Sequence, residues 1–110
     1  MPHIATHQLT ITDLLFEYVE LFAQNPDLTG AQLARREVLR HAMVKRITVT
    51  PEALNAALVP AMLAACEVEH AKTLGTAPTI LDAKGQLMLE IQHIERKCFG
   101  VASCNTTVLQ

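Results

Sequence analysis

The chain has 110 residues, of which 50% are hydrophobic and 18% are charged. This composition is typical of a globular domain and argues against a disordered, collagenous or membrane-embedded chain. The formal net charge of -2 excludes an overall field that draws the protein to nucleic acid or to an anionic membrane. We expect one helical domain over residues 1–110, with residues 1–9 and 101–110 extended or frayed.

Targeting signals and cysteine content bear on the compartment. The first eight residues lack a cationic start followed by an apolar run, so no secretory signal is expected. The longest nonpolar stretch, residues 56–66, is much shorter than the ~20 residues that span a bilayer. The 3 cysteines cannot all pair within one chain, which suits a reducing compartment. The sequence therefore predicts a cytoplasmic protein that does not enter a membrane.

The first helix is predicted at about residues 10–24. Thr10 and Asp13 resemble a capping box, and Asn25-Pro26 should end the helix because the residue before proline avoids the α conformation. Apolar residues recur at helical spacing on one arc, which predicts the buried face: Ile11, Leu14, Leu15, Tyr18, Val19, Leu21 and Phe22.

A second helix is predicted at about residues 29–46. Thr29 and Gln32 form another capping-box pattern at its start, and Lys45-Arg46 suits the negative end of the helix dipole. The connection to the first helix is short, so the two should form an antiparallel hairpin. The expected buried residues are Leu33, Val38, Leu39, Ala42 and Met43.

The third helix has the strongest start signal in the chain. After a β-branched segment at 47–49, which predicts an extended link or a short strand, Thr50-Pro51-Glu52 supplies an N-cap, a proline and an acid. The helix is expected to reach Leu74, with Gly75 at the C′ position. Pro60 lies inside it and predicts a kink near Val59.

Residues 56–66 of the third helix are apolar on every side. A peripheral helix of a monomer does not need this pattern, so the helix is either central or an oligomer seam. Four helices of this length would leave part of such a helix uncovered. We therefore expect self-association.

Two interpretations compete after the loop at 75–79. In the first, Asp82 caps a fourth helix, which Gly100 closes after Lys97 with Val101 as the apolar C″ residue. The apolar stripe of this helix consists of Leu87, Met88, Ile91, Ile94 and Cys98. In the second, residues 82–85 form a type I turn of a β-hairpin at about 78–94. The helix is favoured because residues 86–97 are almost all strong helix formers.

The predicted architecture is accordingly all-α: a compact four-helix bundle with a kinked, alanine-rich third helix. The alternative is an α+β fold with the hairpin at about 78–94.

Basic residues concentrate on the second helix. The window 35–46 carries +4, but Arg36 and Arg40 alone share the outward face, while Arg35 and Arg46 project toward the apolar side. Nucleic-acid binding is therefore disfavoured, although it stays an alternative. An inward arginine needs a carboxylate, and Glu17, Glu20 or an acid of a second chain could supply it for Arg35.

Aromatic and apolar residues complete a predicted interface. Phe16 falls among Asp13, Glu17 and Glu20, where an exposed aromatic side chain indicates a contact residue. Met62 belongs to the apolar segment of the third helix. The candidate interface residues are Phe16, Arg35, Arg36, Arg40 and Met62.

Cysteine and histidine supply the remaining candidates for chemistry. Cys66 and His70 stand four apart on the third helix and could give two ligands to zinc. A complete site needs two more, for which Cys98 and Cys104 are candidates. Cys98 with Cys104 as its resolving partner is also the best candidate for a reactive thiol pair. The paired short spacings of a specific zinc signature are absent, so no cofactor is expected.

The sequence contains no phosphate-binding loop, nucleophile elbow or metalloprotease motif. We therefore expect a protein-protein interaction module, such as an adaptor, inhibitor, assembly factor or regulator, that forms a homo-oligomer and has a protein partner. The alternatives are a nucleic-acid-binding regulator that uses the second helix, and a Cys/His metal or thiol-redox protein.

Overall fold

The computed structural model of the chain describes residues 8–24 and 29–100, and these form four α-helices. No strand occurs in these two ranges, so the all-α prediction is confirmed and the hairpin at 78–94 is wrong. The helices are α1 (Ile11–Gln24), α2 (Gly30–Val44), α3 (Pro51–Leu74) and α4 (Ala77–Cys98).

The helices form two layers. The long helices α3 and α4 are joined by residues 75–76 and pack along each other as an antiparallel pair, while α1 packs against both. The predicted hairpin of α1 and α2 is present, and α2 packs mainly on α1. Within the described ranges α1, not the alanine-rich α3, packs extensively on all three other helices.

Side-chain caps explain three of the helix starts. The Gln32 N–H donates to Thr29 Oγ1 (3.3 Å) and the Thr29 N–H donates to Gln32 Oε1 (2.9 Å), so the predicted capping box of α2 is confirmed. Thr50 Oγ1 accepts from the Ala53 N–H at the start of α3 (3.1 Å). Thr10 Oγ1 accepts from Asp13 N–H at the start of α1 (3.1 Å). Asn25-Pro26, the predicted end of α1, lies outside the described residues.

The start of α4 differs from the prediction. The helix begins at Ala77, five residues before the expected cap at Asp82, which lies inside it. Pro78 was interpreted as part of a loop, but it occupies the first helical turn, where its missing N–H has no intrahelical partner to lose. Gly85, interpreted in the hairpin alternative as a turn residue, is in the helix interior.

The glycines at the ends of α3 and α4 serve different purposes. Gly75 is the C-cap of α3 with φ -95°, so the expected C′ position is wrong. Position 75 requires glycine because the Cβ of any other residue would lie 2.4 Å from the Ala71 carbonyl oxygen. Gly100 follows the C-cap Phe99 of α4 with φ +64°, which confirms it as a left-handed C′ residue. Val101 lies outside the described residues.

The link between α2 and α3 is irregular. α2 ends at Val44, two residues before the prediction, and residues 47–49 form bends with no strand. The Thr48 N–H donates to the Cys98 carbonyl oxygen (2.7 Å), as does its hydroxyl (3.1 Å). These bonds satisfy a carbonyl of the last turn of α4 and fix the link against that end of the bundle.

Pro60 interrupts the hydrogen-bond ladder of α3 without ending the helix, which runs from Pro51 to Leu74. The missing N–H leaves the Ala56 carbonyl without its intrahelical donor. Ala56 and Pro60 are both exposed, so water can supply that donor. The bend near Val59 stays a prediction.

Candidate interaction surfaces

Large exposed apolar side chains concentrate on α3 and α4. Leu63 is 62% exposed and Leu89 is 59% exposed, although both lie within long, regular helices. Val59 and Leu74 of α3 and Leu81 and Met88 of α4 are also exposed, as are Phe22, Leu33 and Val38 on the other two helices.

The alanine-rich helix α3 has one covered face and one uncovered face. Its covered face contains Leu54, Leu58, Ala61, Ala64, Ala65, Val68 and Ala71. Leu63 follows Leu54 by nine residues, which is two and a half helical turns, so it points away from the core. The expectation that a helix apolar on every side would be left partly uncovered is confirmed.

Arg35 is bound within its own chain. Its Nε donates to Glu17 Oε2 (2.6 Å) and its Nη2 donates to Glu17 Oε1 (2.8 Å), a bidentate pair between α2 and α1. The side chain of Arg35 is only 10% exposed. The hydrogen bond and the charge of Glu17 raise the pKa of Arg35, against the opposing effect of burial. The predicted pairing with Glu17 is confirmed, and no acid from a second chain is needed.

The other basic residues of α2 are less outward than predicted. Arg36 and Arg40 are half-buried, and the Arg46 Nη1 donates to the Leu9 carbonyl oxygen (2.9 Å). Arg40, Arg46 and Lys45 line an open cavity of about 590 Å³ together with Glu37 and other residues of α2. The described wall of this cavity comes from α2 and the two residues that follow it, so it brings together no groups from different helices.

Burial on α1 and α2 departs from the predicted apolar arcs. Phe16 is half-buried and packs against the core, whereas Phe22, assigned to the buried arc, is exposed. Leu33 and Val38 are exposed because α2 packs mainly on α1 and buries only Leu39 and Met43. Phe16 is therefore not the isolated surface aromatic that suggested a contact residue.

Met62 also packs partly against the core. Its neighbour Leu63 takes the exposed position in that turn. Sequence analysis could have identified Leu63 from its nine-residue separation from Leu54, because the two cannot share a face.

The candidate metal and thiol residues are not gathered. Cys66 and His70 are exposed on α3, whereas Cys98 of α4 is fully buried. Burial raises the pKa of the Cys98 thiol, and the nearby charge of Lys97 opposes that shift only in part. A raised pKa is unfavourable for a reactive thiol. Within the described ranges no three His, Cys, Asp or Glu side chains form a group able to hold a metal ion. Cys104 lies outside them.

Sequence analysis missed one buried carboxylate, Glu95 of α4, which is 6% exposed. The Thr12 hydroxyl of α1 donates to Glu95 Oε2. The available signal was spacing, because Glu95 follows Ile91 by four residues on the buried stripe of α4. This hydrogen bond joins α1 to the α4 side of the long pair.

Comparison with protein-family models, curated protein sequences and solved structures found no match for this chain. Across the described ranges, no helix combines the length and the apolar character needed to cross a membrane.

Proposed function

We propose that this protein is a small helical protein-protein interaction module that acts by binding and associates with itself. The observation that carries the proposal is the uncovered apolar face on α3 and α4, where Leu63 and Leu89 are more than half exposed. Monomeric proteins rarely leave extended apolar patches in water, and such patches mark contact sites.

The alternatives draw less support from the geometry. Arg35 and Arg46, two of the five cations of the basic window, bond to Glu17 and to the Leu9 carbonyl. A metal site would have to combine the exposed Cys66 with the buried Cys98, and a thiol-redox role would rest on Cys98, whose pKa is raised by burial. Neither set of residues forms a site for nucleic acid or metal as clearly as the exposed apolar residues of α3 and α4 form a surface for binding a protein.

Sedimentation velocity over a wide range of protein concentrations tests the proposal. We expect the mean mass to rise from that of one chain toward a multiple of it, since mass action drives a self-associating protein to oligomers. A mass of 12.1 kDa at every concentration would contradict self-association. Native mass spectrometry of the same sample tests the metal alternative, because bound zinc adds to the mass of each chain.

A further inference from the structure

The layer formed by α3 and α4 has one side covered by α1 and one side open. α1 contacts α4 through Thr12 and Glu95, and it reaches α3 through Gln24 Nε2 and Glu69 Oε2, which are 3.4 Å apart. These two bonds mark the covered side on each long helix.

Leu63 and Leu89 have the same spacing from the two glutamates that bond to α1. Each lies six residues before the glutamate of its helix that bonds to α1, which places it about 120° around the helix. Because 120° is more than a quarter turn, each leucine lies on the half of its helix that faces away from α1, in agreement with its exposure. They are also level along the pair, since Leu63 is twelve residues before Gly75 and Leu89 is thirteen after Thr76.

We call this side the open face. Residues three, four or seven positions from either leucine lie on the same side of its helix. Among these, Ala56, Pro60, Gln86 and His93 are exposed, and so are the charged residues Glu67, Asp82 and Arg96 nearer the ends of the pair.

The open face is large enough for a stable dimer. Helices of 24 and 22 residues are about 36 and 33 Å long at 1.5 Å per residue. Two helices packed ~9 Å apart present a strip about 20 Å wide, or roughly 700 Å². Two such strips would bury roughly 1,400 Å² in total, which falls within the range of stable protein interfaces.

The middle of the open face carries no charge, and this property indicates which kind of partner binds there. Residues 53–66 of α3 and 85–89 of α4 contain no acidic or basic residue. A highly charged partner would bury its charges there without compensation. In the middle of the face a second copy brings the same uncharged surface, so its approach there creates no like-charge contact and buries no unpaired ion.

We propose that the open face binds the open face of a second copy of this chain about a two-fold axis, so that two α3–α4 layers pack together. The proposal rests on the self-association proposed above and identifies the surface through which the two copies bind. The outer sides of the dimer are then formed by α1 and α2 of each copy.

The test is a charge placed on the open face. We expect Leu89→Lys to weaken self-association at least a hundredfold in sedimentation velocity, because a dimer would bury the two unpaired ammonium groups. Leu63→Lys on the neighbouring helix should have the same effect. The matched control is Val38→Lys: Val38 is on α2, is 48% exposed and lies on the outer side of the proposed dimer. This variant should associate like the unmodified chain.

The outcomes separate this proposal from the one on which it rests. Circular dichroism confirms that each variant keeps its helices, and Leu89→Gln replaces Leu89→Lys if the lysine variant does not fold. Unaltered association of folded Leu63→Lys and Leu89→Lys would overturn the open face as the interface but leave self-association standing. The same holds if Val38→Lys alone dissociates the protein. An unmodified chain that stays monomeric overturns both.

Discussion

At the scale of single residues, Arg35 illustrates how a cation is accommodated at the edge of a small core. Its guanidinium is nearly covered, and both oxygens of Glu17 accept hydrogen bonds from it. The bond is bidentate and partly shielded from water, so we expect it to stabilise more than an ordinary surface ion pair.

Glu17→Gln tests the contribution of this pair. Removal of the negative charge should lower the free energy of unfolding by about 1–2 kcal/mol, because Arg35 keeps its charge while losing a charged acceptor. Glu20→Gln is the matched control, since Glu20 is exposed on the same helix, and it should change stability by less than about 0.5 kcal/mol. Urea unfolding measures both. Equal effects of the two variants would show that the ion pair contributes nothing specific.

Two glycines provide a second comparison. Alanine at Gly75 would place its Cβ against the Ala71 carbonyl oxygen, so Gly75→Ala should destabilise the fold by about 1–3 kcal/mol. A Cβ at Gly85 meets nothing within 4 Å, and the residue is inside α4. Gly85→Ala should therefore stabilise by about 0.5–1 kcal/mol, as alanine is the better helix former. Thermal unfolding gives the sign of each change, and a stabilising Gly75→Ala would refute the close contact.

At the scale of the helices, the start of each element depends on a few local bonds. Thr29 and Thr50 cap α2 and α3 through their hydroxyl groups, whereas Thr76 occupies the N-cap position of α4 without such a bond. The sequence predicts Asp82 as the N-cap of α4, because aspartate is a good N-cap and Pro78 is typical of loops. In the fold, packing of α4 along α3 extends the helix upstream through Pro78.

Alanine substitution at the caps distinguishes these assignments. Thr50→Ala should cost about 1 kcal/mol of unfolding free energy, because the Ala53 N–H loses its acceptor. Thr76→Ala should cost less than about 0.5 kcal/mol, since its hydroxyl caps no backbone N–H. Asp82→Ala should be similarly mild, because Asp82 is exposed in the helix interior. A loss at Asp82 as large as that at Thr50 would indicate that α4 begins at Asp82 in solution.

At the scale of the whole molecule, charge and apolar surface are divided between the layers. The basic window is on α2, whereas the uncharged segment of α3 is on the other side of α1. Self-association through the open face would therefore leave α2 exposed on the outside of the dimer. The half-buried Arg36 and Arg40 then keep the same exposure in the monomer and in the dimer.

The double variant Arg36→Ala/Arg40→Ala tests whether these charges bind nucleic acid. We expect its DNA binding and its retention on heparin to match those of Lys84→Ala/Arg96→Ala, which removes two exposed cations of α4. A nucleic-acid-binding regulator would instead lose affinity with the α2 variant alone and show a flatter dependence on salt. That result would favour the nucleic-acid alternative over the interaction module.

The sequence by itself determined the number of helices, the caps of α2 and α3 and the glycine at the end of α4, and it limited the partners of Arg35 to Glu17, Glu20 or an acid of a second chain. These features depend on periodicity and on bonds between residues close in the chain or on adjacent helices of a short hairpin. The tertiary structure alone decided which side of each helix is covered. Phe16 and Phe22 illustrate the reason: Phe22 lies within the predicted apolar arc of α1 yet is exposed, whereas Phe16 lies among the acidic residues yet packs against the core, because the positions of the neighbouring helices decide what is covered. The spacing of Glu95 and Leu63 indicates which residues share their helix faces. Only the packing of α1 across the long pair, a contact between distant parts of the chain, decides that Glu95 is covered and that Leu63 and Leu89 are not.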